Sequence, residues 1–264
     1  MNLNERMGFK TNKKLCFQDY HFKVNLNDML GKGSSGNVFF GVLMYEKIPA
    51  AVKIYEEEMD EFPIQKKAFK RFPQFVAKPF YRKSIDPFKI IVMEFGEYSF
   101  LTYRFKSNDE EYFKELLTIV LNYEELNARG VLHRDSRSKN IMKRNFQKEI
   151  SEGNLKVEFS WMLIDFGWSE IIEHININGF DSFYFLISEA LIPKNKNFKH
   201  DLKQLILKYY NIIKQNRSLK RLLCSNLFPE DHELYYTDGL LLYIEVADSY
   251  DKFIPTWRHD LYIN

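Results

Sequence analysis

The sequence predicts an α+β protein of two lobes, a strand-rich first part followed by a mainly helical second part. Three observations carry that expectation. Short apolar runs bounded by turn residues recur as far as Met93. Helical spacing of apolar residues takes over from Tyr112. The residues with most chemistry to offer fall just after that change, between His133 and Gly167. Such segregation of strands and helices suggests a cleft between two lobes.

Taken in order, residues 1 to about 20 are polar and read as a loose arm. An apolar, strand-like piece ends at Leu30 and runs into Gly31-Lys32-Gly33-Ser34-Ser35-Gly36. Val38 to Leu43 reads as the return strand, and Ala50 to Ile54 as a third strand. Glu56 to Arg71 is charged and helical in character, with Pro63 confining the helix mostly to the residues after it. Ile90 to Met93 is a buried strand that stops at Glu94-Phe95-Gly96. From Tyr112 to Arg129, Leu116, Leu117, Val120, Leu121 and Leu126 keep a helical period, closed by a glycine stop at Gly130. A strand pair around Ile141 and Met162 to Ile164 follows, then a mainly helical remainder. The expected organisation is an arm over 1–22, a first lobe over 23–96 and a reduced second lobe over 97–264.

Bulk properties narrow the function. At 264 residues the chain is comfortable for two lobes, and 45% hydrophobic residues, with 24 Phe and 16 Tyr, provide a sizeable core. A formal charge of +2 and a pI near 8.3 argue against nucleic acid or a membrane as the main partner. The two cysteines, Cys16 and Cys224, form neither a disulfide framework nor a zinc-ligand spacing. No run approaches the roughly 18 apolar residues of a membrane span, and the N-terminus has no apolar signal core. The default expectation is an intracellular, cytoplasmic protein.

The chemistry lies in four places. Gly31, Gly33 and Gly36 give G-x-G-x-x-G, in which glycines let the backbone approach phosphates and expose amide donors. A dinucleotide fold needs a helix straight after the last glycine; here Val38-Phe39-Phe40 is strand-like, which favours a hairpin lid over ATP. Lys53 sits inside the apolar strand Ala51-Val52-Lys53-Ile54, where an ammonium requires partners such as phosphate oxygens and a carboxylate. Among the acidic residues that follow, Glu61 is the preferred partner, with Glu58 next. His133-Arg134-Asp135 with Asn140 reads H-R-D-x-x-x-x-N, and Asp165-Phe166-Gly167 reads D-F-G. Asp135 suits a general base or orienter of an attacking hydroxyl. Asn140 and Asp165 offer the sparse oxygen ligands that magnesium takes, and Arg137 or Lys139 can neutralise the transferring phosphoryl group.

With these motifs in order, the chain resembles the eukaryotic-type protein kinase family over roughly residues 23 to 190. The resemblance implies a two-lobed protein-kinase-like fold and a Ser/Thr-type protein kinase using ATP and Mg2+ on a protein substrate. It implies an ATP-covering loop with Gly31, Gly33, Ser34 and Gly36, and Lys53 as the phosphate-anchoring lysine paired with Glu61. Met93 looks like the gatekeeper, Glu94 and Gly96 like hinge residues, and Val38, Ala51 and Met142 like the apolar sandwich around adenine. Asp135 looks like the catalytic aspartate and Asn140 and Asp165 like the metal ligands. The intact set argues against a pseudokinase.

Three departures stand out. Arg137 replaces the familiar lysine two residues after the catalytic aspartate. Asn145 to Asn154 is an inserted hairpin loop. Only sixteen positions separate Asp165 from Asp181, the residue that looks like the brace of the catalytic loop, and no A-P-E motif lies between them. In that truncation the chain resembles compact atypical kinases, such as some bacterial effector kinases and crinkler-like kinase domains; for an effector or viral protein the expected compartment is a host cytosol. The departures imply a kinase without activation-loop control. A small-molecule phosphotransferase and a nucleotide-binding pseudokinase scaffold are the alternative readings.

Overall fold

A computed structural model of the chain describes residues 16–33, 36–56, 60–105, 108–151, 154–173, 176–190 and 199–215. The fold is α+β. It divides into two units: Met1–Tyr103 with Ser138–Ile171, and Arg104–Arg137 with Ile172–Asn264.

The first unit is built on an antiparallel sheet of six strands. These are β1 (Cys16–Gln18), β2 (Phe22–Gly33), β3 (Gly36–Leu43), β4 (Pro49–Tyr55), β5 (Pro79–Ile85) and β6 (Phe88–Glu94). Their spatial order is β1-β2-β3-β4-β6-β5. Within the stretch expected as an arm, Cys16 to Gln18 pairs with β2. The central strand β4 explains why its sequence reads as a continuous apolar run. Successive side chains alternate between faces, and both faces are covered: Ala50, Val52 and Ile54 join one buried cluster, Ala51 and Tyr55 the other. Lys53 therefore points to the Ala51–Tyr55 face.

Helix α1 (Glu61–Arg71) supplies Phe62 to that face. Its cap is Asp60, whose Oδ1 accepts from the Phe62 N–H at 3.2 Å. The helix starts before Pro63 rather than after it, because a proline in the first turn lacks only an N–H that has no helical partner anyway. Its buried residues are Glu61, Gln65 and Ala68, so polar bonds hold this face where an apolar stripe usually would.

The ribbon of β8 (Ile141–Ser151) and β9 (Asn154–Leu163) belongs with the sheet. Its register runs from Ile141 opposite Leu163 to Ser151 opposite Asn154. Backbone bonds join it to the loop after β6, from Lys143 N–H to Tyr98 O at 2.7 Å and from Phe100 N–H to Ile141 O at 2.8 Å. Phe100, Tyr103, Phe159 and Trp161 pack edge to face and tilted around the same junction.

The second unit contains α2 (Asn108–Ala128), the short strand β7 (Val131–Leu132), α3 (Phe180–Ala190) and α4 (Lys199–Gln215). Leu116, Ile119, Val120, Tyr123 and Leu126 line the buried face of α2; Phe180, Phe183, Leu186, Leu202, Ile206 and Tyr209 come from α3 and α4. The glycine stop after α2 takes a left-handed conformation at Gly130, φ 72°. Polar pins supplement the core: Tyr209 donates to Glu124 at 2.5 Å, and Tyr112 donates to the buried Glu189. Among the described residues, no helix is long and apolar enough to cross a membrane.

Candidate active site

In the sheet unit, β4 and α1 bring Lys53 and Glu61 together across eight positions of sequence. Lys53 Nζ lies 2.7 Å from Glu61 Oε2 and 2.9 Å from Asp165 Oδ1. Lys53 and Glu61 are both 4% exposed, whereas the Asp165 side chain is 33% exposed. Burial by itself would lower the lysine pKa; the charges of Asp165 and Glu61 outweigh it and hold the ammonium above its ordinary value. Of the two acidic candidates, Glu61 is the residue at this distance, and Glu58 lies outside the described residues.

Asp165 follows the end of β9 with φ 63°, a left-handed conformation that costs a non-glycine residue about 1 kcal/mol or more. The backbone holds it there: Ile164 N–H donates to Asn140 O at 3.0 Å. That bond sets Asn140, 4% exposed, beside the residue preceding Asp165. Gly167 lies so close that a Cβ would stand 3.4 Å from Glu61 Oε2 and 3.7 Å from Asp165 Oδ1. An amide oxygen and a carboxylate make a hard, sparse oxygen set, which fits magnesium bound to a nucleotide.

The glycine hairpin has uneven constraints. Gly33 pairs with Gly36. Gly36 has φ 155°, and a Cβ there would meet Ile54 O at 2.5 Å and the Tyr55 Cβ at 2.7 Å. A Cβ at Gly31 would meet nothing within 4 Å. Ser34 lies outside the described residues. Val38, Ala51 and Met93 share one cluster on the Lys53 face. Met142 is placed against Gly96, where a Cβ would approach the Met142 Cβ to 2.5 Å. The Glu94 N–H donates to Lys78 O at 2.9 Å.

In the helical unit, one buried carboxylate organises the segment around Asp135. Asp181, at the start of α3, is 0% exposed. Its Oδ2 accepts from Asn127 Nδ2 at 2.6 Å and from the His133 N–H at 2.8 Å. Its Oδ1 accepts from the Arg134 N–H at 3.0 Å and from Ser136 Oγ at 2.7 Å. These bonds hold Arg134 in a left-handed conformation, φ 69°. Asp135 Oδ2 meets Arg137 Nη2 at 2.7 Å. Tyr184 is pushed up to about 12, by burial first and then by the Asp135 charge, against the effect of Arg137.

Several residues of these two constellations carry no local sequence signal. Gln65 donates to Ala77 O at 3.0 Å from the buried face of α1. Arg144 on β8 pairs with Glu94, 50 positions away. Asn127 reads only as part of a helix end, yet it both donates to Asp181 and accepts from its N–H at 3.1 Å.

No family model matches the sequence, and no curated protein matches it. Among solved structures, the chain is similar to the BubR1 kinase domain at 22% identity and a TM-score of 0.45, over 64% of this chain and 59% of that one. It is also similar to the kinase domain of PF14_0431 at 15% identity and a TM-score of 0.46, over 74% of this chain and 67% of that one. The chain thus spans less than two thirds of the BubR1 chain it matches.

Proposed function

We propose that this protein is an ATP- and Mg2+-dependent phosphotransferase, a Ser/Thr-type protein kinase that passes the γ-phosphate of ATP to a protein hydroxyl. The observation that carries the reading is the Lys53 ammonium held between Glu61 and Asp165. A purely structural lysine in a sheet interior needs one carboxylate. Here a second one, partly exposed and carried on a strained turn, is brought to the same nitrogen. Lys53 is then the anchor for nucleotide phosphate, and Glu61 keeps it oriented.

Asn140 and Asp165 would hold the magnesium, which when bound neutralises charge on the transferring phosphoryl group. The hairpin of Gly31, Gly33, Ser34 and Gly36 covers the phosphates. Val38, Ala51, Met93 and Met142 enclose the adenine, and the backbone of Glu94 and Gly96 orients it. Asp135 accepts the proton of the acceptor hydroxyl. Its bond from Arg137 fixes the direction of the carboxylate before the acceptor arrives.

Control by an activation loop is absent from this reading, because α3 begins at Phe180, thirteen positions after Gly167. The same short segment favours one second reading, a small-molecule phosphotransferase with the same residues in the same roles. An ATP-dependent phosphorylation assay over mixed protein and small-molecule acceptors, with Asp135→Asn as control, separates them. Label on proteins supports the first reading and label only on small molecules the second. Equal labelling by Asp135→Asn refutes the role of Asp135 in both.

A further inference from the structure

The segment between α1 and β5 has no regular structure of its own, yet every backbone carbonyl from Pro73 to Ala77 has a donor. Arg144 Nη1 donates to Pro73 O and Gln74 O, both at 3.2 Å, and Nη2 donates to Val76 O at 2.9 Å. Leu163 N–H donates to Phe75 O at 2.6 Å, and Gln65 Nε2 to Ala77 O at 3.0 Å. One guanidinium thus serves three of the five. The same guanidinium pairs with Glu94: Nη2 donates to Oε2 at 2.9 Å, and Nε lies 2.7 Å from Oε1 as an ion-pair contact. Glu94 Oε2 also accepts from the Lys78 N–H at 3.0 Å. The Arg144 side chain is only 14% exposed and that of Glu94 25%. A planar guanidinium whose two terminal nitrogens share charge-assisted bonds among a carboxylate and three carbonyls is fixed in angle as well as distance.

The position of Arg144 gives the clamp a consequence. It lies two residues beyond Met142 on β8, and Gly96 lies two residues beyond Glu94. Gly96 and Met142 are in contact so close that no side chain fits at Gly96. The packing at Gly96–Met142 and the ion pair Glu94–Arg144 therefore add to the backbone bonds that already join the end of β6 and its following loop to the start of β8.

We propose that Arg144 is a positioning residue for nucleotide binding, fixing the end of β6 against β8 through Glu94 and anchoring the segment that follows α1. This rests on the reading of Glu94, Gly96 and Met142 as the adenine site. The role separates Arg144 from the phosphate-handling residues. Its loss relaxes the adenine site and leaves Lys53, Asp165 and Asp135 as they are. Arg144→Lys is not a rescue, since an ammonium cannot reach Glu94 and three carbonyls at once.

The test measures KM for ATP and kcat separately, with calorimetric MgATP affinity, in wild type, Arg144→Met and Glu94→Gln. The expected result is a rise of about tenfold in KM and Kd in both variants, with kcat changing by less than about twofold, the mark of lost uniform binding. Should Arg144→Met fail to fold, Glu94→Gln carries the test alone, because it weakens the ion pair while leaving the carbonyl bonds intact. Unchanged KM and Kd in folded Glu94→Gln overturn the proposal, as does a kcat loss that matches or exceeds the affinity loss. A wild-type protein that binds no MgATP overturns the adenine-site reading and this inference with it. Binding by wild type with no difference in the variants overturns this inference alone.

Discussion

In the sheet unit, two carboxylates, Glu61 and Asp165, meet one side-chain cation. In the helical unit, one carboxylate, Asp181, meets four donors, none of them a formal charge. Both arrangements answer the cost of a buried charge, and the difference between them separates binding from bracing. A carboxylate surrounded by backbone and amide donors is satisfied completely and has nothing left to offer a ligand. It fixes the geometry of the chain around Asp135. Under the proposed function, a lysine held between two carboxylates, one of them partly exposed, shares its charge with incoming phosphate oxygens. Alteration of the first constellation should therefore act mainly on stability, and alteration of the second mainly on chemistry.

The sharpest break in that comparison comes from Asp165→Ala. Phosphoryl transfer is expected to fall by about a thousandfold or more, while urea unfolding stays cooperative with a midpoint close to wild type. A variant equal to wild type in turnover would remove Asp165 from the mechanism. Asp181→Ala reverses the pattern. It removes the acceptor of one Asn127 N–H, two backbone N–H groups and the buried Ser136 hydroxyl, and a loss of about 3 kcal/mol or more is expected from denaturant titration. A loss below about 1 kcal/mol would mean that Asp181 does not brace the segment.

The Lys53 ion pairs should show in pH dependence with a definite sign. The folded pKa is raised above the ordinary 10.5, so the stability from this group is complete below 10.5 and is lost as pH rises through the higher folded value. The stability difference between wild type and Lys53→Met should be flat across about pH 6 to 9 and shrink only in strongly alkaline buffer. Shrinkage beginning near neutrality would contradict the pairing. The smallest effects concern glycines. Gly96→Ala forces a methyl onto Met142 and should cost about 1–3 kcal/mol, whereas Gly31→Ala, with open space around it, should stay within about 0.5 kcal/mol of wild type. Equal thermal shifts in the two would refute the close approach at Gly96.

The local part of the architecture was legible in the sequence. The alternating or continuous apolar runs of β3, β4 and β6 and the helical period of α2 reflect burial that each segment imposes on itself. The Lys53–Glu61 pair was within reach because an ammonium in an apolar strand demands an acid nearby. Strand β5, Pro79 to Ile85, was not legible: its polar, half-exposed pattern has no clear alternation, and only pairing with β6 makes it a strand. Cys16 to Gln18 is too short to signal a strand before β2 is there to pair with it. The start of α1 before Pro63 depends on the Asp60 cap. Arg144 and Gln65 were silent for a related reason. Their partners are backbone carbonyls and a distant carboxylate, which no spacing rule brings together.

The central claim is that the Lys53–Glu61–Asp165 constellation serves magnesium-dependent phosphoryl transfer. Its most direct test is the transfer of label from γ-labelled ATP to acceptor by purified wild-type protein, with magnesium and with excess chelator. Transfer that requires magnesium is the predicted result. No transfer to any acceptor, or transfer indifferent to the chelator, would contradict the account.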